Sequence, residues 1–344
     1  MYSIPAIASN QKAQIQHNID IKTKPLGALG QLEALALQLC LILGSSKPQI
    51  IKPTQLVFAG DHGISEMGIS IAGNEVTGQM VANFCAGGAA INAFCQQSNM
   101  ALRVIDCGTV FEQPNHPMLI KQRIAPTTAP FHIEPAMTQG QAQEAIDAGM
   151  LIAKMQIKNG ANVIGIGEMG IGNTTSAAAL MHVLTGSDID YCVGRGTGID
   201  DDSLARKKEL IRNACLLHQD SINSPLNALA CLGGFEIAQM VGAMIGTAQA
   251  GKVIIVDGFI STAAALIATQ LAPNARDYMV FSHGSKELGH HTLLKCLNAT
   301  PLLTLELRLG EGSGCPLALP LMQSALAFYN NMASFEQAKV TEVN

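Results

Sequence analysis

Three observations predict an α/β fold with a doubly wound, mainly parallel six-stranded sheet for this 344-residue chain. Six short apolar runs recur along it, helical apolar patterns lie between them, and each run ends in a glycine-rich turn carrying polar residues. Short strands alternating with helices pair in parallel through right-handed crossovers. In open sheets of this kind ligands sit just beyond the carboxyl ends of the strands. Polar chemistry gathered at one end of every strand therefore outlines an active-site rim. The chain reads as an enzyme.

The runs are Leu56–Ala59, Leu102–Asp106, Asn162–Gly167, Val253–Asp257, Tyr278–Phe281 and Leu303–Leu309. Their turns read Gly60-Asp61-His62-Gly63, Asp106-Cys107-Gly108-Thr109, Gly167-Glu168-Met169-Gly170, Asp257-Gly258-Phe259, Ser282-His283-Gly284-Ser285 and Gly310-Glu311-Gly312. Between them, Thr138–Lys158 places Ala142, Ala145, Ile146, Gly149, Ile152 and Ala153 on one helical face. Val76–Phe94, Asp202–Leu217, Phe235–Gln249, Ser261–Leu271 and Lys286–Leu297 read the same way. The ends differ. Residues 1–54 hold one long apolar helix, Leu26–Leu43, a proline-containing connection and no strand, and Pro316–Met332 is a second long apolar helix. Residues 1–54 and 303–344 are thus expected to form a small helical domain beside a large domain spanning 55–302. Phe111–Pro135, with five prolines, is expected to be irregular surface connection.

Composition narrows the function. Apolar residues make up 48% and charged residues 14%, against roughly 25% charged in soluble proteins. Part of the surface is therefore hidden in an oligomer, or the core is unusually deep. A net charge of −5 argues against a nucleic-acid partner. No window reaches the ~18 uncharged apolar residues of a membrane span. The amino terminus lacks the positive segment and apolar stretch of a secretory signal. Nine cysteines at scattered spacings, with no C-x-x-C pair, suit reduced thiols in the cytoplasm. No Cys/His pairing or H-E-x-x-H spacing points to a metal site.

Four segments carry chemistry. Gly194-Arg195-Gly196-Thr197-Gly198 precedes a helix opening with Asp200-Asp201-Asp202-Ser203; such a loop exposes backbone N–H groups to a phosphate, or is a plain turn. It is neither a Walker A nor a dinucleotide fingerprint, and the aspartates read as a helix cap rather than magnesium ligands. Lys207 and Lys208 follow, to neutralise a phosphate or sit in solvent. Gly165–Ser176 is denser: a strand runs into a glycine turn holding Glu168, and Asn173-Thr174-Thr175 opens an alanine-rich helix. Either Asn173 or a threonine simply caps that helix, or the turn is an anion or sugar site with Glu168 able to accept from ribose hydroxyls. Asp61 and His62 are adjacent and point to opposite faces, which disfavours a direct dyad. Glu311 lies between Gly310 and Gly312. Burial there would raise its pKa towards that of a general base; pairing with Arg308 is the plainer alternative.

Read in order, Lys24-Pro25-Leu26-Gly27-Ala28-Leu29-Gly30, Phe58-Ala59-Gly60-Asp61-His62-Gly63, Gly167–Thr175, Gly194–Gly198, Val256-Asp257-Gly258-Phe259 and Arg308–Gly314 resemble, nearly end to end, the nicotinate-nucleotide–dimethylbenzimidazole phosphoribosyltransferase family. No motif position departs from the family's pattern. The resemblance implies a homodimer with a Rossmann-like large domain and a small helical domain built from both termini. It implies that nicotinate mononucleotide and 5,6-dimethylbenzimidazole give α-ribazole 5′-phosphate and nicotinate, with inversion at the anomeric carbon, for nucleotide loop assembly in cobalamin biosynthesis. Glu311, framed by Leu309, Gly310 and Gly312, is then the general base. Gly194, Arg195, Gly196, Thr197, Gly198 and Lys207 would hold the 5′-phosphate. Glu168, Gly170, Asn173 and Thr174 would line the ribose-phosphate pocket, with Glu75 and Gln79 along the benzimidazole slot. No metal, cofactor, nucleic acid or membrane is called for. A magnesium- and pyrophosphate-dependent phosphoribosyltransferase using Asp200–Asp202 would instead be sensitive to chelators. A regulatory nucleotide sensor would bind without turnover.

Overall fold

Leu56, Val57, Phe58 and Ala59 have no solvent contact, as befits a continuous apolar run covered by helices on both faces. They form the middle of β1 (Thr54–Gly60) in the computed structural model, which describes residues 2–196 and 198–341. Strand β2 (Ala101–Gly108) flanks β1 on one side, followed by the short β3 (Leu119–Lys121). On the other side lie β4 (Val163–Met169), β5 (Val253–Val256) and β6 (Met279–Phe281). The order is β3-β2-β1-β4-β5-β6, and every pairing is parallel. This Rossmann-like order reverses direction between β1 and β4, so a crevice opens outside the carboxyl ends of those two strands.

The helices are α1 (Lys12–Asp20), α2 (Gln31–Leu43), α3 (Glu75–Ala86), α4 (Ala90–Gln97), α5 (Gln139–Lys158), α6 (Asn173–Thr185), α7 (Ile189–Cys192), α8 (Asp201–His218), α9 (Pro225–Leu232), α10 (Phe235–Gln249), α11 (Phe259–Leu271), α12 (His290–Cys296), α13 (Gly314–Asn331) and α14 (Phe335–Ala338). Local chemistry sets several ends. Thr138 and Gln141 form a capping box on α5, and Asp200 caps α8 by accepting from the Ser203 N–H. Helix α10 is buried almost throughout and packs on α5, where Gly149 and Gly242 let the backbones touch. At the chain ends, α2 packs against α1 and α13, and Lys22 bridges to Ser334. Among the described residues no helix is long and apolar enough to cross a membrane.

Three expectations need correction. Leu303–Leu309 is not a strand. Only Leu303 makes an isolated bridge, to His283, and Glu306 at φ +54° leaves the extended conformation that its alternating pattern promised. The sixth strand is instead β3, inside the connection 111–135 that reads as irregular; three residues at a sheet edge leave little apolar signature. The pattern Val76–Phe94 is two helices, α3 and α4, because Gly87 turns the chain at φ +84°.

Candidate active site

Beyond the ends of β4 and β5 and beneath the loop 308–311 lies a cavity of about 280 Å³. Glu168, near the end of β4, lines it and accepts a hydrogen bond from the Asn173 side-chain amide. Asn173 opens α6 because Gly172, at φ +93°, turns the chain into the helix. A Cβ on Gly170 would lie 2.3 Å from the Gly60 carbonyl, so only glycine lets the turns after β1 and β4 meet. Burial pushes the Glu168 pKa up to about 8, against the Asn173 hydrogen bond and with help from Asp257, Glu236 and Glu311.

Lys207 reaches this wall from behind, with its Nζ donating to Thr174 Oγ1 at 2.8 Å. It is nearly fully buried, and loss of hydration lowers its pKa to about 8, opposed by the Glu287 charge. Gly196 lines the cavity beside Thr174. Gly194 and Arg195 line a neighbouring recess of about 530 Å³ that shares Gly196, Glu287 and Arg308 with the cavity. Gly198 lines neither, and Thr197 lies outside the described residues. Of the aspartates that open α8, Asp200 is the cap and Asp201 pairs with Arg195; Lys208 pairs with Asp190 at 2.7 Å. Among the described residues no group of three or more His, Cys, Asp or Glu is arranged to hold a metal.

Glu311 also lines the cavity. It sits at φ +63°, in the left-handed region a non-glycine residue seldom adopts. Its carboxylate accepts the Ile91 N–H at 3.3 Å, in the first turn of α4, where the helix dipole favours an anion. Burial raises its pKa all the same. It makes no ion pair with Arg308 among the described residues, so the plainer reading of this carboxylate fails; both side chains line the cavity. Leu309 and Gly310 also line it, while Gly312 packs behind Glu311 against Gly167.

The apolar wall comes from α3 and the segment before it: Ile71, Val76 and Met80 face the cavity. Glu75 and Gln79, expected there, are exposed and do not line it; each lies one residue, about 100° of helix, from a lining side chain. Of the titratable lining residues, Asp257, His283 and Glu287 are given no role by the sequence. Asp257, at the end of β5, accepts the Gly314 N–H at 2.7 Å, and burial raises its pKa to about 7. His283 lies 3.6 Å from Asp257 and is driven by burial down to about 4. Both stand in strand-end turns, a signal that could have found them. Glu287 carried none, and Arg308 entered only as a partner for Glu311.

A phosphoribosyltransferase family model matches residues 4–340. A nicotinate-nucleotide–dimethylbenzimidazole phosphoribosyltransferase of Photobacterium profundum is 54% identical over 341 residues, covering 99% of this chain and all of the relative. The Shewanella loihica protein of the same name is 52% identical over 345 residues, with 99% of this chain and 100% of the relative covered. The crystal structure of CobT from Thermus thermophilus superposes with a TM-score of 0.93 at 41% identity, over 96% of this chain and 99% of that one.

Proposed function

The chain belongs to the nicotinate-nucleotide–dimethylbenzimidazole phosphoribosyltransferase family, and from that premise we propose the reaction its residues perform and the role of each. The phosphoribosyl group of nicotinate mononucleotide passes to 5,6-dimethylbenzimidazole, giving α-ribazole 5′-phosphate and nicotinate. The leaving pyridinium departs as a neutral ring, so no pyrophosphate charge has to be neutralised. A benzimidazole nitrogen attacks the anomeric carbon from the opposite face, which inverts it.

Attack leaves a cation on the incoming ring unless its other nitrogen sheds a proton. Glu311 takes that proton as general base. Glu168, whose pKa of about 8 keeps it protonated near neutrality, donates to a ribose hydroxyl, while Asn173 orients it. Lys207, Thr174 and the backbone of Gly194, Arg195 and Gly196 hold the 5′-phosphate. Val76, Met80 and Ile71 supply the apolar face for the planar base. The observation carrying this reading is that Glu168 and Glu311 line one cavity with an apolar wall, and that Lys207 stands behind its Thr174 edge.

Residues 1–54 and 303–344 act in this reading as one helical unit, and the enzyme is a homodimer. The low charge content and exposed apolar residues such as Leu26, 76% exposed, support association. Incubation with nicotinate mononucleotide and a panel of bases tests the reaction: nicotinate must be released, and the product must carry the base mass and the α configuration. No nicotinate release with any base, or a β product, overturns it. Light scattering at micromolar concentration tests the dimer, and a monomer mass overturns it.

A further inference from the structure

The histidine of Asp61-His62-Gly63 has no part in the reaction above, yet it is wholly buried at the carboxyl end of β1. Its Nε2 lies 2.7 Å from Glu236 Oε1, in the first turn of α10. Its Nδ1 lies 3.0 Å from Ser176 Oγ, in the first turn of α6. Asp61 turns elsewhere and accepts the Val110 N–H at 2.7 Å. Room for the ring is made by glycines. A Cβ on Gly234 would stand 2.3 Å from His62 Cε1, and one on Gly60 would stand 2.8 Å from Glu236 Oε2. A buried imidazole is costly unless both nitrogens are paired. Here both are.

We propose that His62, anchored by Glu236, is a positioning residue that fixes the first turn of α6 through Ser176 and so sets Asn173 and Thr174 against the nucleotide. This rests on the reading of Asn173 and Thr174 as pocket residues. Ser176 Oγ stands 3.0 Å from His62 Nδ1 and 3.4 Å from the Gly233 carbonyl, so this one hydroxyl joins the ring to the first turn of α6. Ser176 shares its helical turn with Asn173, which orients Glu168, and with Thr174, which holds Lys207. Gly172 supplies no side-chain cap to α6. The turn is tied instead by this bond and by the Ile171 N–H donating to Thr77 Oγ1 at 3.1 Å. Loosening it by about 1 Å is enough to cost on the order of 10²-fold in rate.

Ser176→Ala removes one oxygen and keeps the His62–Glu236 pair, so it is expected to fold, with a thermal midpoint lowered modestly because the buried Nδ1 loses its partner. Its kcat should fall about 10- to 100-fold, with a raised KM for nicotinate mononucleotide and an unchanged KM for the base. His62→Asn, which keeps an acceptor near the Nδ1 position, should retain more activity than His62→Ala. Added to Asn173→Ala, Ser176→Ala should cost less than it does alone, because both act through one turn. A Ser176→Ala kcat within twofold of the unmodified enzyme, or full additivity with an impaired Asn173→Ala, overturns the positioning role. Unimpaired Asn173→Ala overturns the pocket reading and the proposal with it.

Discussion

Glu311 donates its backbone N–H to the carbonyl of Glu168 at 3.1 Å, which ties the carriers of the two cavity carboxylates to each other. Glu168 stands on a buried central strand and Glu311 on a loop in the left-handed conformation. The loop borrows its rigidity from the strand through this bond. Each carboxyl is pushed up by burial, and Glu311 adds to the field on Glu168. A conformation this uncommon persists only where its surroundings over-determine it.

Glu311→Gln should fold, bind both substrates and lose kcat by about 10²- to 10⁴-fold, the usual worth of a positioned base. The amide keeps the shape but cannot take the proton shed as the new bond forms, so the loss falls on kcat. Because burial raises the Glu311 pKa, the acid limb of kcat should lie above the ordinary carboxylate range and vanish in the variant. Near-normal kcat with an intact acid limb would move the base to Glu168.

Lys207 titrates at about 8 in the free protein, and kcat/KM reports the free enzyme. For nicotinate mononucleotide, kcat/KM should therefore fall above about pH 8, as the ammonium assigned to the phosphate in the proposed reaction loses its proton. The limb should be weaker in kcat, where a bound phosphate holds the charge on Lys207. Lys207→Ala should raise the KM for the nucleotide more than that for the base and abolish the limb. Equal effects on both substrates would remove Lys207 from the phosphate site.

Much of this was legible because the strand ends announce themselves. Glu168, Asn173 and Thr174 sit in a glycine-dense run, and Glu311 lies between two glycines in the left-handed region. Phase was not legible. Along α3, one residue decides whether Glu75 or Val76 faces the cavity, and the apolar pattern there also serves the core. The alternation in Leu303–Leu309 looks like a strand, but nothing local reveals the left-handed Glu306 that interrupts it. Glu287 and Arg308 meet only in the folded chain, where they line the same wall as Gly196.

Glu168→Gln should lose activity and gain stability. The folded-state pKa of Glu168, about 8, lies above its unfolded value of 4.5. The native state then binds the proton more tightly, and stability falls as pH rises from the unfolded to the folded pKa. Glutamine is neutral throughout and escapes that loss. The two proteins should differ least near pH 4, below the unfolded pKa, with the variant melting progressively higher towards pH 8. A melting difference that does not change over this range would show that Glu168 ionises freely in the fold.

Gly312→Ala should unseat Glu311 without touching it. Gly312 lies at φ +79°, and a Cβ there would stand 2.2 Å from the Gln55 amide nitrogen and 3.2 Å from Gly167 Cα. Gln55 has no exposed surface and cannot swing out, and the strand backbone at Gly167 is held by its pairing with Val57 of β1. The loop must therefore lift, taking Glu311 away from the cavity. Gly44→Ala is the control: it ends α2 at φ +57° with nothing within 4 Å of its Cβ position. It should cost only the left-handed penalty, roughly 1 kcal/mol, and leave kcat unchanged. Gly312→Ala carries the same penalty plus the overlap, so its melting point should drop further and its kcat should fall with it. Equal melting losses and normal kcat in both variants would mean that the Gly167–Gly312 contact does not hold Glu311 in place.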